Sequence, residues 1–340
     1  MKLRNVLRKI ALLFFIGTFA AMALAQAKSP DPLPSWNEGP VKQAIVSFVQ
    51  KVTDKSGPTY VAPKDRIATF DQDGTTWVEH PLYTQAMFAL DRVHELALKH
   101  PEWKTEPPFK AILGNDREAM AKFTDADWGK IIGVTHSGMT IEAFHKMSQE
   151  WLARAMHPRF KRPYTELVYQ PMLEVMQYLR HHGFKTYIVT GSGQEFVRVY
   201  GEKVYGVPPE QVVGSDLATK YEYQDGKPVL MRLPKVFFND NFAGKAIGIN
   251  LFIGKQPLAA FGNSTGDQQM LEWTQASDGA RLMMLVLHDD GKREYAYGPA
   301  QGLPDTRVGA FTQALYDQAK KQGWVVISMK NDWNKIFAWE

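Results

Sequence analysis

Short apolar runs recur along this chain, and the most regular of them end in the same way. Ile67 to Phe70, Phe184 to Val189 and Pro257 to Phe261 each run directly into residues that carry oxygen or form tight turns. These runs have strand length, and their flanking punctuation supports that assignment. Two further strands are expected near Leu282 to Leu287 and around Trp324 to Ser328. Between them lie stretches of helical period. They are expected at about Val41 to Val52, Leu82 to Lys99, Glu118 to Lys122, Ile141 to Arg154, Glu166 to His182 and Val308 to Lys321. The fifth of these places Met172, Val175, Met176 and Leu179 on one face. Lys220 to Leu233 reads as two strands joined at Asp225-Gly226, a dipeptide suited to a two-residue hairpin turn.

The first strand carries the sharpest chemical signal. In Ile67-Ala68-Thr69-Phe70-Asp71-Gln72-Asp73-Gly74-Thr75-Thr76, two aspartates one residue apart share a strand face. They project from the carboxyl end, where open α/β sheets bind ligands. One carboxylate there can attack phosphorus, while the other, its proton affinity raised by its neighbour, serves as acid and then base. Gly74 allows a sharp exit from the strand, and the amides that follow, from Thr75 onward, suit an anion. An ordinary Asp-Gly turn would give the same short pattern.

This stretch resembles motif I of the haloacid dehalogenase-like superfamily, DxDGT, and the rest of the chain supplies that family's other parts in order. Thr190-Gly191-Ser192-Gly193 ends the second strand and matches motif II, with Thr190 in register and Ser192 as the competing hydroxyl. Lys245, in Gly244-Lys245-Ala246-Ile247, matches the motif III lysine, and Lys255 is a rival less well placed. Gly262-Asn263-Ser264-Thr265-Gly266-Asp267 resembles motif IV, GDxxxD, with Asn263 in place of its first acid.

The resemblance implies an α/β fold: a doubly wound parallel sheet with a helical cap inserted between motifs I and II. The 117 residues from Asp73 to Thr190 are far more than a simple crossover needs. The expected division is core at 41–79 and 166–340 with a C1-type cap at 80–165. It further implies an Mg2+-dependent phosphatase of small phosphomonoesters, similar to phosphoserine-phosphatase-like members. Asp71 would be the nucleophile and Asp73 the acid and base, with Thr190 and Lys245 holding phosphoryl oxygens. Mg2+ would lie among Asp71, the Asp73 carbonyl, Asn263 and Asp267, with Asp267 acting partly through water and Asn263 weakening the metal's hold. Gly74, Thr75, Gly191 and Ser192 are candidate substrate contacts. Glu79, near the position of a family glutamate that meets an amino group, and Arg159, in the basic run His157 to Pro163, are two more.

Haloacid dehalogenase chemistry on the same fold needs neither a second acid nor Mg2+, so Asp73 speaks against it. Phosphotransfer differs only in what resolves the phosphoenzyme and stays open. A binding or assembly protein that has lost turnover is the reading from another class, and Asn263 is its main support.

Composition adds the setting. Residues 1–27 read as a secretory signal peptide: Lys2, Arg4, Arg8 and Lys9, an uncharged apolar run from Ile10 to Ala25, then small residues. Cleavage is expected after Ala25 or Ala27, giving a periplasmic or secreted protein. The apolar run spans about 24 Å as a helix, short of a hydrocarbon core of about 30 Å, so no stable membrane insertion is expected after cleavage. The 40 basic and 36 acidic residues give a formal charge of +4, and the leader alone supplies that excess. No basic footprint remains for nucleic acid, and no protein partner is named. Zero cysteines exclude disulfides, cysteine-based zinc sites and thiol catalysis. Residues 28–40, rich in proline, read as an extended tether. The nine tryptophans, including the Trp333 to Trp339 tail, read as packing residues.

Overall fold

The structure is a computed structural model that describes residues 31–340. The leader, both cleavage positions and residues 28–30 lie outside the described residues.

Seven strands form one sheet: β1 (Ile67–Phe70), β2 (Lys185–Gly193), β3 (Val212–Gln224), β4 (Lys227–Phe238), β5 (Ala259–Gly262), β6 (Leu282–Leu287) and β7 (Val325–Ser328). Their order is β4-β3-β2-β1-β5-β6-β7. All neighbours are parallel except β3 and β4, which are antiparallel and joined at Asp225-Gly226, both with positive φ. Chain order reverses direction about β1, which makes the carboxyl ends of β1, β2 and β5 the switch point of a doubly wound sheet.

Both faces of the sheet are covered at its centre, so β1, β5 and β6 are buried at every position rather than at alternate ones. Ala68, Phe70, Ile188, Ala259, Phe261 and Met284 point to one face, where they meet Ile45, Val49, Met172, Val175 and Leu179 from the helices Pro40–Thr53 and Gln170–His181. Val189, Ala260, Met283 and Leu285 point to the other, against Met270, Leu271 and Leu315. Phe70 and Phe261 stack across β1 and β5 with ring centroids 4.3 Å apart. This pairing sets the register Phe70↔Phe261, while Phe70↔Ile188 sets β2, so Asp71, Thr190 and Asn263 emerge at one end.

Residues 80–165 are helical: Thr84–Leu96, Phe109–Leu113, Arg117–Met120, Asp125–His136 and Ile141–Arg154. They hold a small core of their own around Val93, Trp103, Phe109, Ile112 and Ile131. Their inner side is also fastened to the sheet domain, because Phe88 and Trp151 pack on Phe196, with Phe88 stacked at 5.4 Å. The helix Ile141–Arg154 has the expected limits. The helix Asp125–His136, capped by Thr124 and Asp127, is additional to the expected ones.

The segment after residue 31 is docked on the core rather than free as a tether. Leu33 and Trp36 are buried, Ser35 bonds the Glu174 carboxylate through both N–H and hydroxyl, and Trp36 meets Trp333 edge-on at 5.8 Å. Proline-rich chain lacks helical bonds of its own, and burying two large apolar side chains holds it in place instead. In the C-terminal tail, Trp333 and Phe337 are buried and Trp339 stacks on Phe337, so these aromatics pack. The last long helix begins at Gln313, five residues after Val308, because Thr312 caps it and Gly309 precedes it with φ 65°.

Candidate active site

Asp71 leaves β1 with its N–H donated to the Phe261 carbonyl of β5, which ties the nucleophile candidate to the motif IV strand. Lys245, on the short helix Ala243–Gly248, reaches into the sheet end and is buried. Its Nζ lies 2.5 Å from Asp71 Oδ1, 2.7 Å from Asp267 Oδ1 and 2.8 Å from the Val189 carbonyl. An ammonium has three donors, and all three are in use here. Toward an anion placed beside it, Lys245 would therefore be a fixed charge rather than a free donor. Burial alone would lower its proton affinity, but the Asp267, Asp71 and Asp240 charges outweigh that and raise it.

Asp71 Oδ2 is left facing the Thr75 hydroxyl at 3.1 Å, and the same hydroxyl lies 3.2 Å from Asn263 Oδ1. Burial and the Asp267 charge push the Asp71 carboxyl up to about 7, against the opposing pull of Lys245. Asp73 accepts the Trp77 indole N–H at 2.8 Å on Oδ1 and the Ser192 hydroxyl at 2.6 Å on Oδ2. Burial raises its proton affinity and these two bonds restrain the rise. A carboxyl whose proton affinity is raised by burial suits an acid that later becomes a base.

The two hydroxyls of motif II divide. Ser192 serves Asp73, while Thr190 Oγ1 accepts the Ser192 N–H at 3.0 Å, which leaves its own hydrogen for an anion. Thr190 is thus the motif II hydroxyl with a hydrogen still to give. Lys255 pairs with Asp65 on the surface, remote from these bonds.

Motif IV shows why Asn263 matters. Its amide N–H2 donates to Glu79 Oε1 at 2.6 Å, and Tyr297 donates to the same oxygen at 2.8 Å. Burial raises the Glu79 carboxyl well above its usual range. Glu79 is therefore brought to the site but sits behind Asn263, with one oxygen committed. Gly74, at φ 77°, makes room for this pair: a Cβ there would stand 2.1 Å from Asn263 Nδ2 and 2.3 Å from Glu79 Oε1. Asp267 Oδ1 is held by Lys245, and Oδ2 accepts the N–H groups of Asn263 and Ser264 at 2.9 and 3.0 Å. Both of its oxygens are committed, so it seats the lysine and the motif IV turn.

For a divalent cation, the donor set fits a hard, oxygen-preferring ion such as Mg2+. Asp71 Oδ2 and Asn263 Oδ1 converge on one hydroxyl, and a single buried ammonium faces Asp71, Asp73 and Asp267. Among the described residues no group of three or more His, Cys, Asp or Glu forms a metal site, so the set depends on the Asn263 amide and backbone oxygen.

Arg159 is not brought to this cluster. Its guanidinium bonds the Gly291 and Lys292 carbonyls at 3.1 Å and lies over the Tyr295 ring, so it fastens the end of the helical insertion to the loop after β6. In its place the structure supplies residues that local pattern did not single out. His288 Nε2 bonds the Gly74 carbonyl at 2.7 Å, and its Nδ1 lies 3.1 Å from Glu294. Gln85, from the helical insertion, accepts the Gly193 N–H at 2.6 Å. His288 directly follows β6 as Asp71 follows β1, so the strand-end rule contained a signal for it.

The haloacid dehalogenase-like hydrolase family model matches residues 68–272. No curated protein matches the chain. Among solved structures, a protein of unknown function from Bordetella pertussis Tohama I is similar at 18% identity, with 77% of this chain and 98% of that one covered and a TM-score of 0.45. A conserved functionally unknown protein from Anaerococcus prevotii DSM 20548 is similar at 15%, covering 74% and 86%, also at 0.45. A phosphoserine phosphohydrolase-like protein from Francisella tularensis is similar at 14%, covering 67% and 89%, at 0.38. The family match spans all four strand-end motifs, from Asp71 through Asp267, and the chain belongs to the haloacid dehalogenase-like hydrolase family.

Proposed function

We propose that the protein is an exported, Mg2+-dependent hydrolase of small phosphomonoesters that works through an aspartyl-phosphate. The observation that carries the reading is the division of labour between Asp71 and Asp73. Lys245 holds Asp71 by one oxygen, leaving Oδ2 for attack, while Trp77 and Ser192 hold Asp73 in a second, separately bonded position.

Asp71 Oδ2 would bond to phosphorus as the ester oxygen departs, and Asp73 would give that oxygen its proton. Water would then attack phosphorus, lose a proton to Asp73 and return Asp71 as a carboxylate. Thr190 would donate to a phosphoryl oxygen, and Lys245 would offset charge through space. Asp71, Asn263 and the Asp73 carbonyl would hold Mg2+, which supplies charge neutralisation for the phosphoryl group and Asp71 together. The 117-residue span with its helical insertion over the strand ends supports a cap that limits water and selects substrate.

Among the described residues no helix is long and apolar enough to cross a membrane. Export rests on the leader at residues 1–27. Turnover of an aryl phosphate by the mature chain, with and without Mg2+ and beside Asp71→Asn, tests the reading.

A further inference from the structure

Residues 239–242 connect β4 to the helix bearing Lys245, and an unusual turn leads into that helix. The Gly244 N–H donates to the Asn241 carbonyl at 2.9 Å, closing a four-residue turn with Phe242 at its second position. Phe242 has φ 52° and ψ −126°. Those values belong to the second position of a type II′ turn, which is dominated by glycine and other small residues. The Phe242 N–H donates to the Gly266 carbonyl at 3.0 Å, and its own carbonyl accepts the Lys245 N–H at 3.1 Å. Neighbouring bonds therefore hold a bulky residue in a strained backbone conformation. Strain of that kind persists where the surroundings enforce it, and it concentrates at functional sites.

The turn stands at the rim of the site. The Asn241 carboxamide lies between Gly191 of motif II and Gly266 of motif IV: a Cβ on Gly191 would be 3.4 Å from Asn241 Cγ, and one on Gly266 would be 2.6 Å from Oδ1. Phe242 follows directly, 52% exposed, and it takes no part in the ring pairs of the core. Packing therefore does not account for the aromatic ring, and the backbone would be easier with glycine.

We propose that Phe242 is a specificity-determining residue whose ring receives a flat, aromatic or otherwise apolar leaving group of the phosphomonoester. The inference rests on the hydrolase reading and deepens it. Thr190, Lys245 and the carboxylates fix the phosphoryl end, which every phosphomonoester shares. Discrimination must then come from groups beyond it, and a half-exposed phenyl ring offers offset or edge contact to another ring. Such contacts act mainly on substrate binding.

The test compares benzyl phosphate with ethyl phosphate, whose leaving alcohols are alike in chemistry and differ in the ring. kcat/KM for both would be measured with Mg2+ for the mature wild type, Phe242→Gly and Phe242→Leu. The wild type is expected to prefer benzyl phosphate. Phe242→Gly should lower that preference by about tenfold or more, chiefly through KM, while ethyl phosphate changes by about twofold or less. Phe242→Leu should fall between. Thermal unfolding controls for folding, and Phe242→Gly is expected to match or exceed the wild-type Tm, because glycine relieves the turn. An unchanged benzyl-to-ethyl ratio in a folded Phe242→Gly protein overturns the inference and leaves the hydrolase reading standing. If the variant instead alters only the oligomeric state, the ring belongs to the exposed apolar surface of Phe237, Ile247, Leu251 and Phe252, and the inference is again overturned. No turnover of any phosphomonoester by the wild type removes the hydrolase reading itself, and this inference with it.

Discussion

Lys245 Nζ stands 2.5 Å from Asp71 Oδ1 and 2.7 Å from Asp267 Oδ1, so a single buried ammonium holds two carboxylates that would otherwise repel across the sheet end. Removing it should cost stability as well as activity. Lys245→Met is expected to destabilise by about 3–5 kcal/mol at pH 8, the usual cost of leaving buried charge unpaired. Without the cation the buried Asp71 carboxyl, already raised, binds its proton more tightly in the folded state than in the unfolded chain, so the deficit is largest at high pH and shrinks as pH falls. Urea unfolding of wild type and variant at pH 8 and pH 5.5 checks this, and a deficit that grows on acidification would be the wrong sign.

The Asn263–Glu79 contact constrains the metal question. Replacing Asn263 by Asp restores the family's acid, but it also sets a carboxylate against Glu79 Oε1, which now receives an N–H at 2.6 Å. The single variant Asn263→Asp is expected to lose stability and to gain little Mg2+ affinity. Asn263→Asp with Glu79→Gln should recover stability and bind Mg2+ more tightly than wild type, because a donor again faces the new acid. Calorimetric titration with Mg2+ and thermal unfolding of the three proteins separate these outcomes.

Asp240 is a third buried carboxylate near Lys245. It has no side-chain partner, and burial pushes it up to about 7, with the Lys245 charge opposing. Its folded proton affinity lies above the unfolded one, so the stability it contributes is fully present below the ordinary value of 3.8 and is lost as pH rises through 7. Asp240→Asn is expected to be more stable than wild type at pH 8, by on the order of 1–3 kcal/mol. The gap should close as pH falls toward 5, which denaturant unfolding across that range would show.

Much of this architecture was legible in the sequence because it is written locally. An apolar run ended by Asp, Thr or Asn marks a strand end, and Ile67 to Thr76, Tyr187 to Gly193 and Ala259 to Asp267 each appear where such runs placed them. The hairpin at Asp225-Gly226 was legible for the same reason, since its turn needs the positive φ that these two residues adopt. The helix Asp125–His136 was less so: its apolar positions are sparse, although Thr124 and Asp127 form a legible capping box. Long-range pairs left no local trace. Glu79 meets Tyr297 across 218 residues of chain, and His288 meets Gly74 across 214, so their partnership depends on the fold. Arg159 shows the opposite failure, where a basic run suggested an anion and the fold spends its guanidinium on carbonyls and a tyrosine ring.

The most direct test of the central claim is release of phosphate from an aryl phosphate by the mature protein, with and without Mg2+, beside Asp71→Asn. Mg2+-dependent turnover is expected of the wild type, with a loss of at least about a thousandfold in the variant, which keeps its fold. Turnover that persists in Asp71→Asn, or that proceeds equally well without metal, would contradict the claim.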